Sequence, residues 1–181
     1  KDGSSEFQIC TASDLTCHDG IEGSGKGQLG SVQGISFTNN YLYLAMGNRV
    51  SKFDSSGNFI LTFGWGVKDG SSEFQICTAS DLTCQGGISG SGNGQLSSAY
   101  GVDGDLLGNL YISDTVNSRI QKFDSSHSYL SQWGTLGTGQ GQFNTPAGLS
   151  SDSYGNIFIA DYNNSRIQKF FVFSAPPAVS T

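Results

Sequence analysis

Few residues in this chain could do chemistry. Two histidines, His18 and His127, stand in polar stretches and recur in no repeated segment, so both read as surface residues. Neither the nucleophile elbow G-x-S-x-G nor the zinc motif H-E-x-x-H occurs. Gly20–Gly27, GIEGSGKG, falls one residue short of the phosphate-binding loop G-x-x-x-x-G-K-[ST], because Gly27 stands where a hydroxyl would hold magnesium. Related segments place Asn93 and Gln140 where this one has Lys26. The lysine is therefore incidental, and the glycines read as turn residues. The four cysteines form two pairs, Cys10/Cys17 and Cys77/Cys84, each within CTASDLTC. Six intervening residues exceed the spacing of zinc and thioredoxin-like motifs. His18 is replaced by Gln85 in the second copy. Two local disulfides, Cys10–Cys17 and Cys77–Cys84, are expected rather than one metal bound by four thiols, and they imply an oxidising compartment, extracellular or periplasmic.

These residues must be positioned by the elements around them, and composition indicates what those are. The 181 residues are enough for a domain with a core; only 13 % are charged, 26 are glycine and 3 are proline. That profile suits short strands joined by glycine turns rather than helical bundles. The net charge of −6 makes a nucleic-acid partner unsuitable, and no apolar run is long enough to span a membrane.

Internal repetition is the strongest signal. KDGSSEFQICTASDLTC stands at Lys1–Cys17 and again, letter for letter, at Lys68–Cys84. A pattern G-[ST]-G-x-G-Q-[LF] occurs at Gly23, Gly90 and Gly137. A longer unit begins after each, at Gly34, Gly101 and Gly148. The second and third units share 13 of their first 23 positions, including NSRIQKF. Within the units, YLYLA, LYIS and IFIA read as strands apolar on both faces, followed by RVSKF and two copies of RIQKF. Strands apolar on both faces need cover on both faces, which radially stacked four-stranded blades provide.

LYISDTVNSRIQKFD and IFIADYNNSRIQKF resemble the NHL repeat, and the resemblance extends over residues 29–170. It implies an all-β fold, a β-propeller segment of about three four-stranded antiparallel blades. The expected division is an insert loop at 1–28, blade 1 at 29–66, an insert loop at 67–95, blade 2 at 96–136, blade 3 at 137–173 and a tail at 174–181. Asp114, Asn117 and Arg119, with Asp161, Asn164 and Arg166, read as structural groups that satisfy the turn of each repeat. The first copy, AMGNRVSKF, has a shorter turn and no aspartate at that position. The third copy lacks a clear outer strand, unless Phe171–Phe173 supplies one. Asp103, Asp105 and Asp152 lie near the innermost strands, where solvated turns are favoured over a calcium site in the channel. Trp65 and Trp133, at outer strand ends, read as packing groups rather than sugar platforms. Asn163 heads a glycosylation sequon.

Three blades cannot close a ring, so the chain reads as part of a longer polypeptide, a subunit of a shared ring or a unit of a fibre. Its start at Lys1, within a loop, fits processing or truncation. The expected function is non-catalytic and extracellular: binding or self-assembly, completed by neighbouring chains, without a cofactor. Members of the family range from binding platforms to a few enzymes. The alternatives are therefore a fragment of a propeller enzyme of lyase or lactonase type, and a surface module for a glycan or protein ligand.

Overall fold

The computed structural model describes Gly23 and residues 25–172. Cys10, Cys17, His18 and the tail lie outside the described residues. The described chain is three antiparallel sheets and one short 3₁₀ turn, Tyr162–Asn164. The first sheet runs β1 (Gly34–Thr38), β2 (Tyr41–Met46), β3 (Arg49–Phe53), β4 (Phe59–Trp65) and β5 (Phe74–Thr78), in that spatial order. The second holds β6 (Ala99–Gly104), β7 (Leu110–Asp114), β8 (Arg119–Phe123) and β9 (Tyr129–Trp133). The third holds β10 (Pro146–Ser151), β11 (Asn156–Asp161) and β12 (Arg166–Phe171). Each sheet is a meander, and the first strands β1, β6 and β10 lie side by side. No described helix is long and apolar enough to cross a membrane.

Strand alternation sets two faces per sheet, and pairing carries each face across all its strands. In the first sheet one face carries Ser36, Tyr43, Ala45, Val50 and Lys52, here termed the trailing face. The other, the leading face, carries Ile35, Leu44 and Ser51. The trailing face of each of the first two sheets packs on the leading face of the next. Tyr43, Ala45 and Val50 form one core with Val102, Leu110, Ile112 and Phe123. Tyr111 and Ile120 form a second with Phe143, Ile157 and Ile159. This is the two-sided cover that the apolar strands require.

Four turns share one design. Asp54, Asp105, Asp124 and Asp152 each accept two backbone N–H groups, from the residues two and four positions on, at 2.8–3.0 Å. The residue three positions after the aspartate has positive φ in all four. In three turns that residue is Gly57, Gly108 or Gly155, which adopt the left-handed region without cost; in the fourth it is His127.

Two expectations are corrected. The stretch 67–95, read as an insert loop, contributes a fifth strand to the first sheet, with β5 pairing along β4 from Leu61–Thr78 to Trp65–Phe74. Its FQICT alternates, placing Phe74 and Ile76 against the first core and Cys77 in a smaller cluster with Val67 and Cys84. His127, read as a surface residue, is buried, and its ring lies 5.0 Å from Phe63 and 6.2 Å from Tyr43. The left-handed turn aims its side chain back across the sheets instead of outward. The third sheet has three strands among the described residues; Phe171 belongs to β12 rather than to a fourth strand.

Candidate functional site

The most organised polar site is a clamp, built twice. In the second sheet Asp114 ends β7 and Arg119 opens β8 opposite it. Arg119 Nε donates to Asp114 Oδ2 at 2.7 Å, and its two terminal nitrogens donate to the carbonyls of Ser91, Gly92 and Gln95. Asn117 donates to both Asp114 oxygens and to the Gly90 carbonyl. Gln121 donates to Asp114 and the Gln95 carbonyl, and accepts from Gly94 N. Asp114 Oδ1 also takes the N–H of Ser97.

The third sheet repeats this nearly atom for atom. Asp161 accepts from Arg166 Nε at 2.8 Å, from Asn164, from Gln168 and from Asn144 N. Arg166 donates onward to Thr138, Gly139 and Gln142, Asn164 to Gly137, and Gln168 to Gln142. Burial disfavours the Asp161 carboxylate, but the bonds from Asn144 N, Asn164, Arg166 and Gln168 outweigh it and hold its pKa below the usual carboxylate range.

The clamped object is the glycine loop of the sheet's own repeat. In each copy the glutamine folds back and accepts the N–H of the middle glycine: Gln28 from Gly25, Gln95 from Gly92 and Gln142 from Gly139. A Cβ at Gly23, Gly90 or Gly137 would fall 2.1–2.4 Å from that glutamine's Oε1. The spacing G-x-G-x-x-Q therefore makes a glutamine-closed turn, and the likeness to a phosphate loop is coincidental. Lys26 donates to the Ala79 carbonyl.

The first sheet shows a variant. Met46 stands opposite Arg49 where the other sheets have aspartate, and Ser51 replaces the glutamine. Arg49 donates to the carbonyls of Gly23, Gln28 and Gln85. Burial lowers the pKa of its guanidinium.

Other predicted residues are placed as follows. Cys77 and Cys84 form a disulfide with Cα atoms 5.8 Å apart, so these thiols are not metal ligands. Around it Lys68 pairs with Asp81 at 2.8 Å, and Gln75 binds Lys68 N, Asp69 and Ser71. Asp105 and Asp152 are turn residues, and Asp105 also accepts the hydroxyl of Tyr111 at 2.9 Å. Asp103 has a role the sequence did not disclose. From β6 it accepts Ser36 Oγ of β1 and both the N–H and hydroxyl of Ser151 on β10, tying three adjacent strands. Among the described residues no three metal-ligating side chains gather. Asn163 is exposed in the 3₁₀ turn, with its amide on Thr145 Oγ1 at 2.7 Å. Trp65 and Trp133 are partly buried, and Trp133 lies 6.1 Å from Tyr111 and 5.7 Å from Phe170.

His127 is the group that sequence reasoning misplaced. Burial, reinforced by the nearby Lys52 charge, lowers its pKa to about 4. Its Nε2 is buried without a hydrogen-bond partner among the described residues. The signal was present: KFDSSGNF and KFDSSHSY align the histidine with a turn glycine.

No curated protein matches the chain in sequence. Among solved structures it is similar to a structural genomics protein of unknown function from Bacteroides thetaiotaomicron. That pair shares 18 % identity, covering 78 % of this chain and 48 % of that one, with a TM-score of 0.44. It is also similar to a streptogramin B lyase, at 13 % identity, covering 81 % and 56 % of the two chains, with a TM-score of 0.38. The chain spans about half the length of these structures. The family model for the NHL repeat matches residues 143–170, the span from the end of the third glycine loop through the Asp161 clamp. The segment that this model matches lies in the third of the three antiparallel sheets and spans β10 to β12.

Proposed function

We propose that this chain is a non-catalytic, extracellular propeller module that acts by self-assembly, its third blade being completed by a neighbouring chain. The observation that carries this reading is the strand count. The first two sheets have five and four strands, whereas the third has three among the described residues. Its last strand, β12, pairs with β11 on one side and with no other strand among the described residues. Such an edge is a template for another strand. The Cys77–Cys84 bridge supports an oxidising location. The engagement of the clamp side chains with loop carbonyls supports a structural role for the polar groups over a catalytic one.

Light scattering of the purified chain without reductant tests this. A mass that is a multiple of 19.1 kDa supports self-assembly. A single-chain mass at all concentrations overturns it.

A second reading, a surface module for a protein ligand, is favoured by Leu106, Leu107 and Tyr154. These apolar side chains are exposed in the equivalent turns after β6 and β10. Serine at all three positions would abolish capture of such a ligand without altering the native mass.

A further inference from the structure

The arginine of the first sheet differs from those of the two aspartate clamps in one bond. Arg119 Nη1 donates to the Ser91 carbonyl and Arg166 Nη1 to the Thr138 carbonyl, in each case within the glycine loop of the same repeat. Arg49 Nη1 donates instead to the carbonyl of Gln85 at 2.8 Å, 36 residues away in sequence and next to Cys84. Its Nη2 keeps hold of the first glycine loop, 3.2 Å from the carbonyls of Gly23 and Gln28. Gln121 and Gln168 add a second bond to their loops, at the carbonyls of Gln95 and Gln142, whereas Ser51, at the equivalent place, donates to Thr62. One buried guanidinium thus joins the first glycine loop to the end of the disulfide loop.

The bridge fixes that end. Cys77 lies in β5 and is buried together with Cys84 and Val67. Gln85 N donates to the Val67 carbonyl at 2.7 Å, on the residue whose own carbonyl faces Arg49. A second tie runs from Lys26, inside the glycine loop, to the carbonyl of Ala79, between the two cysteines. The glycine loop itself is closed by Gly25 N–H on the Gln28 side chain at 3.0 Å and by Gln28 N–H on the Gly25 carbonyl at 3.2 Å.

We infer that the Cys77–Cys84 disulfide is a redox-sensitive latch on the first glycine loop, acting through the Gln85 carbonyl and Arg49. A dithiol reductant breaks the S–S bond: two electrons and two protons pass to the two sulfurs, and the dithiol closes to its own disulfide. The chain after Cys84 is then no longer fixed to β5. Arg49 Nη1 loses a fixed acceptor, and the turn from Gly25 to Gln28 opens more readily. Arg49 is a positioning residue in this device. The second and third glycine loops, whose arginines bond within their own repeats, are insulated from the bridge.

Amide hydrogen exchange on the full chain tests the latch. Cys77→Ser with Cys84→Ser, without reductant, should raise exchange at Gly25 and Gln28 roughly fivefold, the change that loss of one ordinary hydrogen bond makes in an opening equilibrium. Gly92 and Gln95, in the second glycine loop, should keep their rates. Reductant on the wild type should reproduce the serine variant at Gly25 and Gln28. Arg49→Lys, which keeps the charge and loses the fork, should abolish the difference between bridged and serine forms. Faster exchange in β5 with Gly25 and Gln28 unchanged overturns the latch, and so does no change at either place. An equal rise at Gly92 and Gln95 shows a general loss of stability and also overturns it. A wild type that responds to reductant while the serine variant stays protected assigns the response to Cys10 and Cys17, and overturns it as well.

Discussion

At the level of single residues, the clamps explain why aspartate, asparagine, arginine and glutamine recur at fixed spacing. The side chain of Arg119 is 7 % exposed and that of Arg166 31 %. Removing one partner of a buried pair leaves the other charge uncompensated, at a cost of about 3–5 kcal/mol. Asp114→Ala is expected to lose that much in urea unfolding, and Asp161→Ala less, because water reaches Arg166. Ser113 gives the opposite case. Its hydroxyl is buried without a hydrogen-bond partner among the described residues, and alanine stands at the equivalent positions 45 and 160. Ser113→Ala should be neutral or stabilising by up to about 1 kcal/mol in the same measurement. His127 supplies a pH dependence. Its folded pKa of about 4 lies below the unfolded value of 6.5, so the unfolded chain takes up the proton first. The associated stability is complete above pH 6.5 and is lost as pH falls towards 4, by roughly 3 kcal/mol. His127→Gly, with the residue of the three sister turns, should flatten the loss between pH 7 and pH 5. Parallel losses in variant and wild type would assign the titration to other groups. The clamp residues were legible because two copies repeat them. The histidine was legible only through its alignment with Gly57, because its direction depends on a left-handed turn that polar neighbours disguise.

Among the elements, the three glycine loops, the paired strands β2–β3, β7–β8 and β11–β12 and the turns between them were all readable from repetition and alternation. β5 was not. Its five residues are flanked by glycine, serine and a cysteine loop, and it is itself the edge strand of the sheet, so local composition outweighed a short alternation. The disulfide holds this strand's end. Closing an eight-residue loop contributes roughly 2.5 kcal/mol in the chain-entropy model. Cys77→Ser with Cys84→Ser should lower equilibrium stability by about that amount, and reductant should then have no further effect at this loop. The identical text at Lys1–Cys17 carries the same cysteines, outside the described residues. Asp103 was also opaque in sequence: its neighbours in space come from residues 36 and 151, one in each adjoining repeat.

At the scale of the whole molecule, the three sheets are graded. Among the described residues, strand number falls from five to four to three along the chain, and the third sheet is packed on one face alone. In repeat architectures, stability is close to a sum of each unit's own contribution and its contacts with neighbours. A sheet with fewer strands and one packed face among the described residues therefore opens at lower free energy than one packed on both faces. Native-state hydrogen exchange should show amides of β11 and β12 exchanging faster than their counterparts in β7 and β8, although the two clamps are alike. The fall in strand number thus gives the molecule a direction. Of the second and third sheets, the third opens first, and it is the one in which a protease would sooner find extended chain.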